Sequence, residues 1–299
     1  MRALLKLTLL AALAALAVPA CAQTIYVVTA DYHSHSPAFS LGTLTLQTGA
    51  FHAIATNKRY ENVKALGFGA NGELYALCRD SSSGRGEMDE YSVDTTTGEM
   101  TLQQKFAHTL IVCAGADSKG VFTGFLIDND ANAIKLFTLD PVAQSLQVGA
   151  LTLVQPAGLV AVDGLGNVYA SGNQPGDFGA EKIFKVNNTR TGAAVVLGNT
   201  GLPPTFSGFL FHGLLYALGE DKHSLRTRGS RRGSIHLPGT GIYTLNPTTG
   251  AASLVVRSTI PSGSYVQAAT LAPIPAVNTN KEPTFISNHF RRNLPPRVN

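Results

Sequence analysis

The sequence predicts an all-β chain folded as a β-propeller of five blades, each of four antiparallel strands. Three observations carry that prediction. A turn signature built on Thr-Gly recurs at a spacing of roughly 47 to 58 residues, and similarity at a fixed period is the mark of a repeat architecture. Each period holds short runs of strand-type residues bounded by Gly, Asn and Asp. Beyond the N-terminal leader, no stretch of about ten or more residues sustains the apolar period of a helix.

The turn signature comes first. "LTLQTG" ends at Gly49, "YSVDTTTG" at Gly98, "FKVNNTRTG" at Gly192 and "YTLNPTTG" at Gly250, while "FTLDPVAQS" brings Ser145 to the corresponding place. The intervals are about 49, 47, 47 and 58 residues, and the long one contains the Arg-rich insertion "KHSLRTRGSRR", 222–232. A second element precedes each of the last four turns: "GFGANGELYALCRD", "GADSKGVFTGFLIDND", "AVDGLGNVYASGN" and "FLFHGLLYALGED". Each reads as strand, glycine turn, strand. A unit therefore has four strands, A to D, clearest in "VKALGFG", "ELYALCR", "MDEYSVD" and "EMTLQQK". One such sheet cannot cover both its faces alone. Around an axis each blade covers its neighbours and the exposed edges stay short.

Closure follows from the chain ends. "TIYVVTAD" matches a strand B with no strand A before it, and "SYVQAATLAP" (264–273) matches a strand A with nothing after it. The two fragments complete one another, so a C-terminal strand should pair with N-terminal strands and close the ring at five blades.

Three segments are expected. Residues 1–22 read as a signal peptide: Arg2 and Lys6, an apolar run from Leu7 to Val18, then small residues at Ala20 and Ala22. Cleavage after Ala22 exports the chain to the periplasm or beyond; lipidation at Cys21 is the rival reading of "VPAC". Residues 23–275 form the propeller and 276–299 a flexible basic tail. No later stretch is long and apolar enough to span a bilayer. Cys78 and Cys113 remain after cleavage, on neighbouring blades, with no C-x-x-C pair to suggest zinc or thioredoxin-like chemistry. The net charge of +4 is modest. Nucleic acid is not an expected partner, since no aromatics interleave the basic residues; the insertion 222–232 is a possible contact for an anionic surface.

"IYVVTAD", "LYALCRD" and "YSVDTTTGEM" resemble the YVTN-type propeller repeat and its lactonase-like relatives, and "VDGLGNVYASG" is similar to NHL and gluconolactonase-type repeats. The resemblance spans nearly the whole mature chain and implies a propeller. It is a resemblance of blades, resting on turn glycines, inner-strand aliphatics and an aromatic in strand C. Lactonase-like members usually have seven blades, where this chain counts to five. No catalytic motif carries over residue by residue.

No cofactor is expected. "GFGANG" (67–72) matches G-x-G-x-x-G but leads into a strand, so it reads as an A–B turn and not as a dinucleotide fingerprint. Position is more informative. B–C and D–A loops share one rim of a propeller, and the ends of strand B carry Asp31, Asp80, Asp128 with Asp130, Asn173, and Glu220 with Asp221. Such groups could hold a cation or a polyhydroxyl ligand, or cap the turns that follow strand B. His33, His35 and His223 add imidazoles, leaving a metal an open question, and Arg59, Tyr60 and His108 join them from D–A loops. The inner strands "VKALGFG", "LIVCAGA", "GLVAVDG", "SGFLFHG" and "YVQAATL" are almost uncharged, which weighs against hydrolysis in the central channel. The sequence thus points to an exported, noncatalytic scaffold that takes a small ligand or protein partner at the B–C/D–A rim. A lactonase-like or glycoside hydrolase-like enzyme and a structural envelope component are the alternatives.

Overall fold

The computed structural model describes residues 23–31, 39–80, 88–106, 109–128, 133–152, 154–173, 182–186, 191–202, 205–221 and 239–273. These residues form twenty strands in five four-stranded antiparallel sheets, with no helix among them. The first blade contains β1 (Thr24–Asp31), β2 (Phe39–Thr45) and β3 (Phe51–Asn57). The second runs β4 (Tyr60–Phe68), β5 (Leu74–Asp80), β6 (Asp89–Val93) and β7 (Met100–Lys105). The third runs β8 (Leu110–Ala116), β9 (Phe122–Asp128), β10 (Ala133–Asp140) and β11 (Ser145–Leu151). The fourth runs β12 (Gln155–Val162), β13 (Val168–Asn173), β14 (Lys182–Val186) and β15 (Ala194–Asn199). The fifth runs β16 (Thr205–Phe211), β17 (Leu214–Glu220), β18 (Thr240–Leu245) and β19 (Ala252–Arg257). The last strand, β20 (Ser264–Leu271), pairs with β1 and supplies the first blade's missing strand A. The strands A touch in a closed circuit, β20 to β4, β8, β12, β16 and back to β20. The chain is a five-bladed β-propeller, closed by its own ends as the sequence predicts.

Alternation along the strands makes the core. In β1, Val27 packs with Phe209, Leu218 and Ile242 of the fifth blade, while Val28 packs with Leu66, Leu74 and Tyr91 of the second. Successive side chains of a strand point to opposite faces, so one strand serves two seams. Three further seams repeat the arrangement, around Phe122 and Phe137, around Phe125 and Leu136, and around Leu159 and Tyr243. Burying a Val, Leu or Phe side chain contributes about 1.5–3 kcal/mol, so the seams dominate the stability of the ring. Cys78 and Cys113 lie in different seams, both buried and not joined by a disulfide. Burial pushes the Cys78 thiol far up, out of the range of a reactive thiolate.

The Thr-Gly turns hold neighbouring blades together. Asp94 accepts the N–H groups of Thr96 and Thr97, and Asn246 those of Thr248 and Thr249. The glycine that follows has positive φ: 71° at both Gly98 and Gly250. Each also faces the outer strand of the preceding blade. A Cβ on Gly98 would sit 2.4 Å from the Ala55 Cβ, and one on Gly49 would sit 2.1 Å from the Arg257 carbonyl oxygen. Asp140 caps the third blade's turn in the same way, through Val142 and Ala143. There the left-handed residue is Gln144, φ 51°, and not Ser145 as the sequence alignment placed it. The inner ring is equally tight: a Cβ on Gly115 would meet the Val160 carbonyl oxygen at 2.5 Å.

One buried carboxyl breaks the pattern of paired acids. Glu90 on β6 is fully buried, and neither of its carboxyl oxygens finds a hydrogen-bond partner among the described residues. Gln104, opposite it on β7, has an orphaned side-chain carbonyl as well. Burial pushes the Glu90 carboxyl up to about 7, and Asp140 of the third blade adds a smaller push. Its proton-binding value is thus raised on folding. The contribution is full below the ordinary value of 4.5 and is lost as pH rises towards 7.

Gly72 also has positive φ, but nothing lies within 4 Å of where its Cβ would be. Gly72→Ala should therefore show backbone strain alone, about 1–2 kcal/mol by urea unfolding, and Gly49→Ala a further 1–3 kcal/mol from its close contact. For the parent chain, urea midpoints should decline from pH 4.5 to 8, and Glu90→Gln should lose that decline. The variant should be the more stable at pH 8 by on the order of 2–3 kcal/mol.

Candidate functional site

The ends of strand B and the starts of strand A meet on one rim. Asp31 lies opposite Ser264, Asp80 opposite Tyr60, and Asn173 opposite Gln155. On this rim every inner strand has a register shift against its strand B: at Asn62–Lys64, Val112, Ala157–Leu159, Phe206 and Gln267. A bulge bends its strand and re-aims side chains. Here the bulges open a mouth at the end of the central channel.

The mouth is a cavity of about 250 Å³ lined by Asn62, Val63, Lys64, Val112, Cys113, Gly158, Tyr265 and Gln267. Four inner strands contribute, β4, β8, β12 and β20, so the cavity exists only in the closed ring. Asn62 takes a left-handed conformation, φ 52°, which asparagine tolerates better than most residues. The bulge turns the Val63 N–H out of the ladder, and the Gln267 side-chain carbonyl accepts it at 3.1 Å across the seam. The Gln267 amide then donates to the Tyr265 hydroxyl, also at 3.1 Å. Gln267 thus locks β20 to β4 beside Lys64. Lys64 is half-buried, and no carboxylate pairs with it among the described residues.

Three of the described rim acids, Asp80, Asp128 and Asp221, are engaged in ion pairs. Asp80 is buried and accepts both Arg59 Nη2, at 2.8 Å, and Arg59 Nε, at 3.0 Å. Asp221 is buried and accepts Arg257 Nε at 2.5 Å. Asp128 pairs with Lys135 at 2.5 Å, and Glu61 with Arg79. Asp31 is exposed at the end of β1. Tyr60 is buried, its ring 4.7 Å from that of Tyr91 and covered by Arg59 at 5.2 Å, so its face is closed to a stacking ligand. His33, His35, His108, Asp130, His223 and the insertion 222–232 lie outside the described residues. Among the described residues no three His, Cys, Asp or Glu side chains group as metal ligands, and no helix is long and apolar enough to cross a membrane.

Of the rim residues singled out from the sequence, none of the described ones, Asp31, Arg59, Tyr60, Asp80, Asp128 and Asp221, lines the mouth. Asn62, Lys64, Tyr265 and Gln267 were missed, although Lys64 is the one charge in "VKALGFG" and Gln267 stands inside the apolar "YVQAATL". A larger cleft, about 480 Å³, lies at the opposite end of the second blade, lined by Glu73, Asp94 and Glu99 among others. It belongs to one blade only. Its Asp94 caps the Thr-Gly turn, and Glu73 accepts the Tyr75 hydroxyl at 2.9 Å.

By sequence, no family model and no curated protein matches the chain. Among solved structures it is similar to TolB from Acinetobacter baumannii, at 10% identity and TM-score 0.45, over 80% of this chain and 54% of that one. It is similar to a chain of a nidogen/laminin complex, at 10% identity and TM-score 0.49, over 83% of this chain and 98% of that one. It is also similar to a puromycin hydrolase mutant complexed with PGG, at 13% identity and TM-score 0.43, over 80% of this chain and 36% of that one. The chain thus spans about half the length of the TolB structure. The five closed sheets themselves make the fold a β-propeller.

Proposed function

We propose that the chain is an exported, noncatalytic binding propeller that takes a small ligand at the channel mouth on the B–C/D–A rim. The observation that carries this reading is the mouth itself. Four inner strands build one cavity on rigid elements, with a cation, two amides and a phenol beside apolar Val63 and Val112. Small-molecule sites have this character: concave, partly apolar, with few polar groups placed to orient the ligand. A hydrolase would need an acid and a base within reach of one bond. Asp80, Asp128 and Asp221 are instead committed to Arg59, Lys135 and Arg257, which supports binding over turnover. Within the propellers, we assign the repeat to the YVTN type on the strength of "LYALCRD" and "YSVDTTTGEM".

Export rests on the leader, 1–22. Gln23, the first residue after the expected cleavage site, donates its side-chain amide to the Ala272 carbonyl at 3.1 Å, just past the closing strand. N-terminal sequencing of protein recovered from the periplasm or medium should give Gln23. Recovery only from the cytosol, with Met1 intact, would count against export.

For binding, a thermal-shift screen of small metabolites on the mature protein should yield ligands that raise Tm, since native-state binding stabilises by about 2.7 kcal/mol at a hundred times Kd. Val112→Phe, which fills the mouth, should abolish the shift. A ligand that still binds this variant would place the site elsewhere, and turnover of a lactone or glycoside panel by the parent chain would replace binding with catalysis.

A further inference from the structure

We infer that the ligand of the channel mouth is a small organic anion with a single carboxylate, held by the Lys64 ammonium. This deepens the reading of the mouth as a binding site and depends on it. Among the eight described residues lining the cavity Lys64 is the one cation, and none of the eight is Asp or Glu. The acids nearest in sequence and register do not balance it. Glu61 is paired with Arg79, and Asp80 with Arg59. Half-buried Lys64 has no carboxylate partner among the described residues, so its charge is unbalanced there. A ligand that brings one negative charge restores that balance in a setting where charge-assisted hydrogen bonds are strong.

The remaining lining sets the rest of the ligand. One lysine neutralises one charge, so a monoanion fits where a doubly charged phosphate would leave an excess. Asn62 offers a further hydrogen bond to a carboxylate oxygen or a neighbouring hydroxyl, and Val63, Val112 and Cys113 offer carbon and sulfur surface to its body. A volume of about 250 Å³ suits a compact metabolite and not a polymer. The polar groups are fixed in advance: the hydrogen bond from Val63 to Gln267 holds the bulge that carries Lys64, on inner strands and not on loops. Preorganisation of this kind reduces the ordering cost of binding.

The test uses three probes of one shape and different charge, benzoate, benzyl alcohol and benzylamine, titrated by calorimetry into the mature chain, with inorganic phosphate as a fourth. Benzoate should bind at least tenfold more tightly than each of the others. Lys64→Gln should weaken benzoate at least tenfold with an unchanged melting temperature, Lys64→Arg should retain it, and Lys119→Gln, on the opposite rim, should have no effect. Equal binding of benzoate and benzyl alcohol, tighter binding of phosphate, or full benzoate affinity in Lys64→Gln would overturn the proposal. If benzyl alcohol binds and Val112→Phe blocks it, the mouth stands as a site and its preference for an anion falls. If none of the probes binds, the anion proposal falls, while the screen against Val112→Phe still decides the mouth.

Discussion

Burial of both faces of every sheet between neighbouring blades is the interaction on which the rest of the molecule depends. No blade can keep its Val, Leu and Phe residues from water by itself. Val27 and Val28 are adjacent in sequence, yet they belong to different seams and face different blades. The ring therefore stands or falls as a circuit, and the pairing of β20 with β1 completes it. The closing strand is also an inner strand, so joining the chain ends builds a seam on each side and part of the channel wall.

Five blades make a narrow ring, and the narrowness explains the small residues along its centre. Gly67, Gly115 and Gly208 stand where a Cβ would collide with a neighbouring blade. The Thr-Gly turns answer the same constraint at the periphery, where the glycine both takes a left-handed conformation and lets the outer strand of the preceding blade approach. On one rim each inner strand bulges, and the channel ends in a cavity with polar groups. Fold and site thus share a cause: the crowding that demands glycine and alanine in the wall leaves the bulges as the place where longer side chains such as Lys64 and Gln267 fit.

The charged groups divide in two. Among the described rim acids, Asp80, Asp128 and Asp221 are held in ion pairs with Arg59, Lys135 and Arg257. Lys64 and Glu90 stand apart, one a cation at the mouth, the other an acid sealed in the seam between the second and third blades. Their surroundings are opposite in kind. The mouth can admit a counterion, whereas burial in the seam raises the affinity of the Glu90 carboxyl for its proton.

Strands, turns and blade number were legible in the sequence because their causes are local. Alternation in "ELYALCR", the capping Asp94 and the αL glycine at Gly98 act within a few residues of one another, and repetition does the counting. Even the closure was readable, since "TIYVVTAD" and "SYVQAATLAP" are each half of a known pattern. A local error was possible too: Ser145 was aligned where Gln144 takes the left-handed position, because no glycine marked it. The mouth was not legible. Asn62, Lys64, Tyr265 and Gln267 come from opposite ends of the chain, and only bulged registers in a closed ring bring them together. Sequence determined the blades by short-range chemistry; the tertiary structure alone decided which polar groups converge, because that depends on long-range register and on which acids find a cation first.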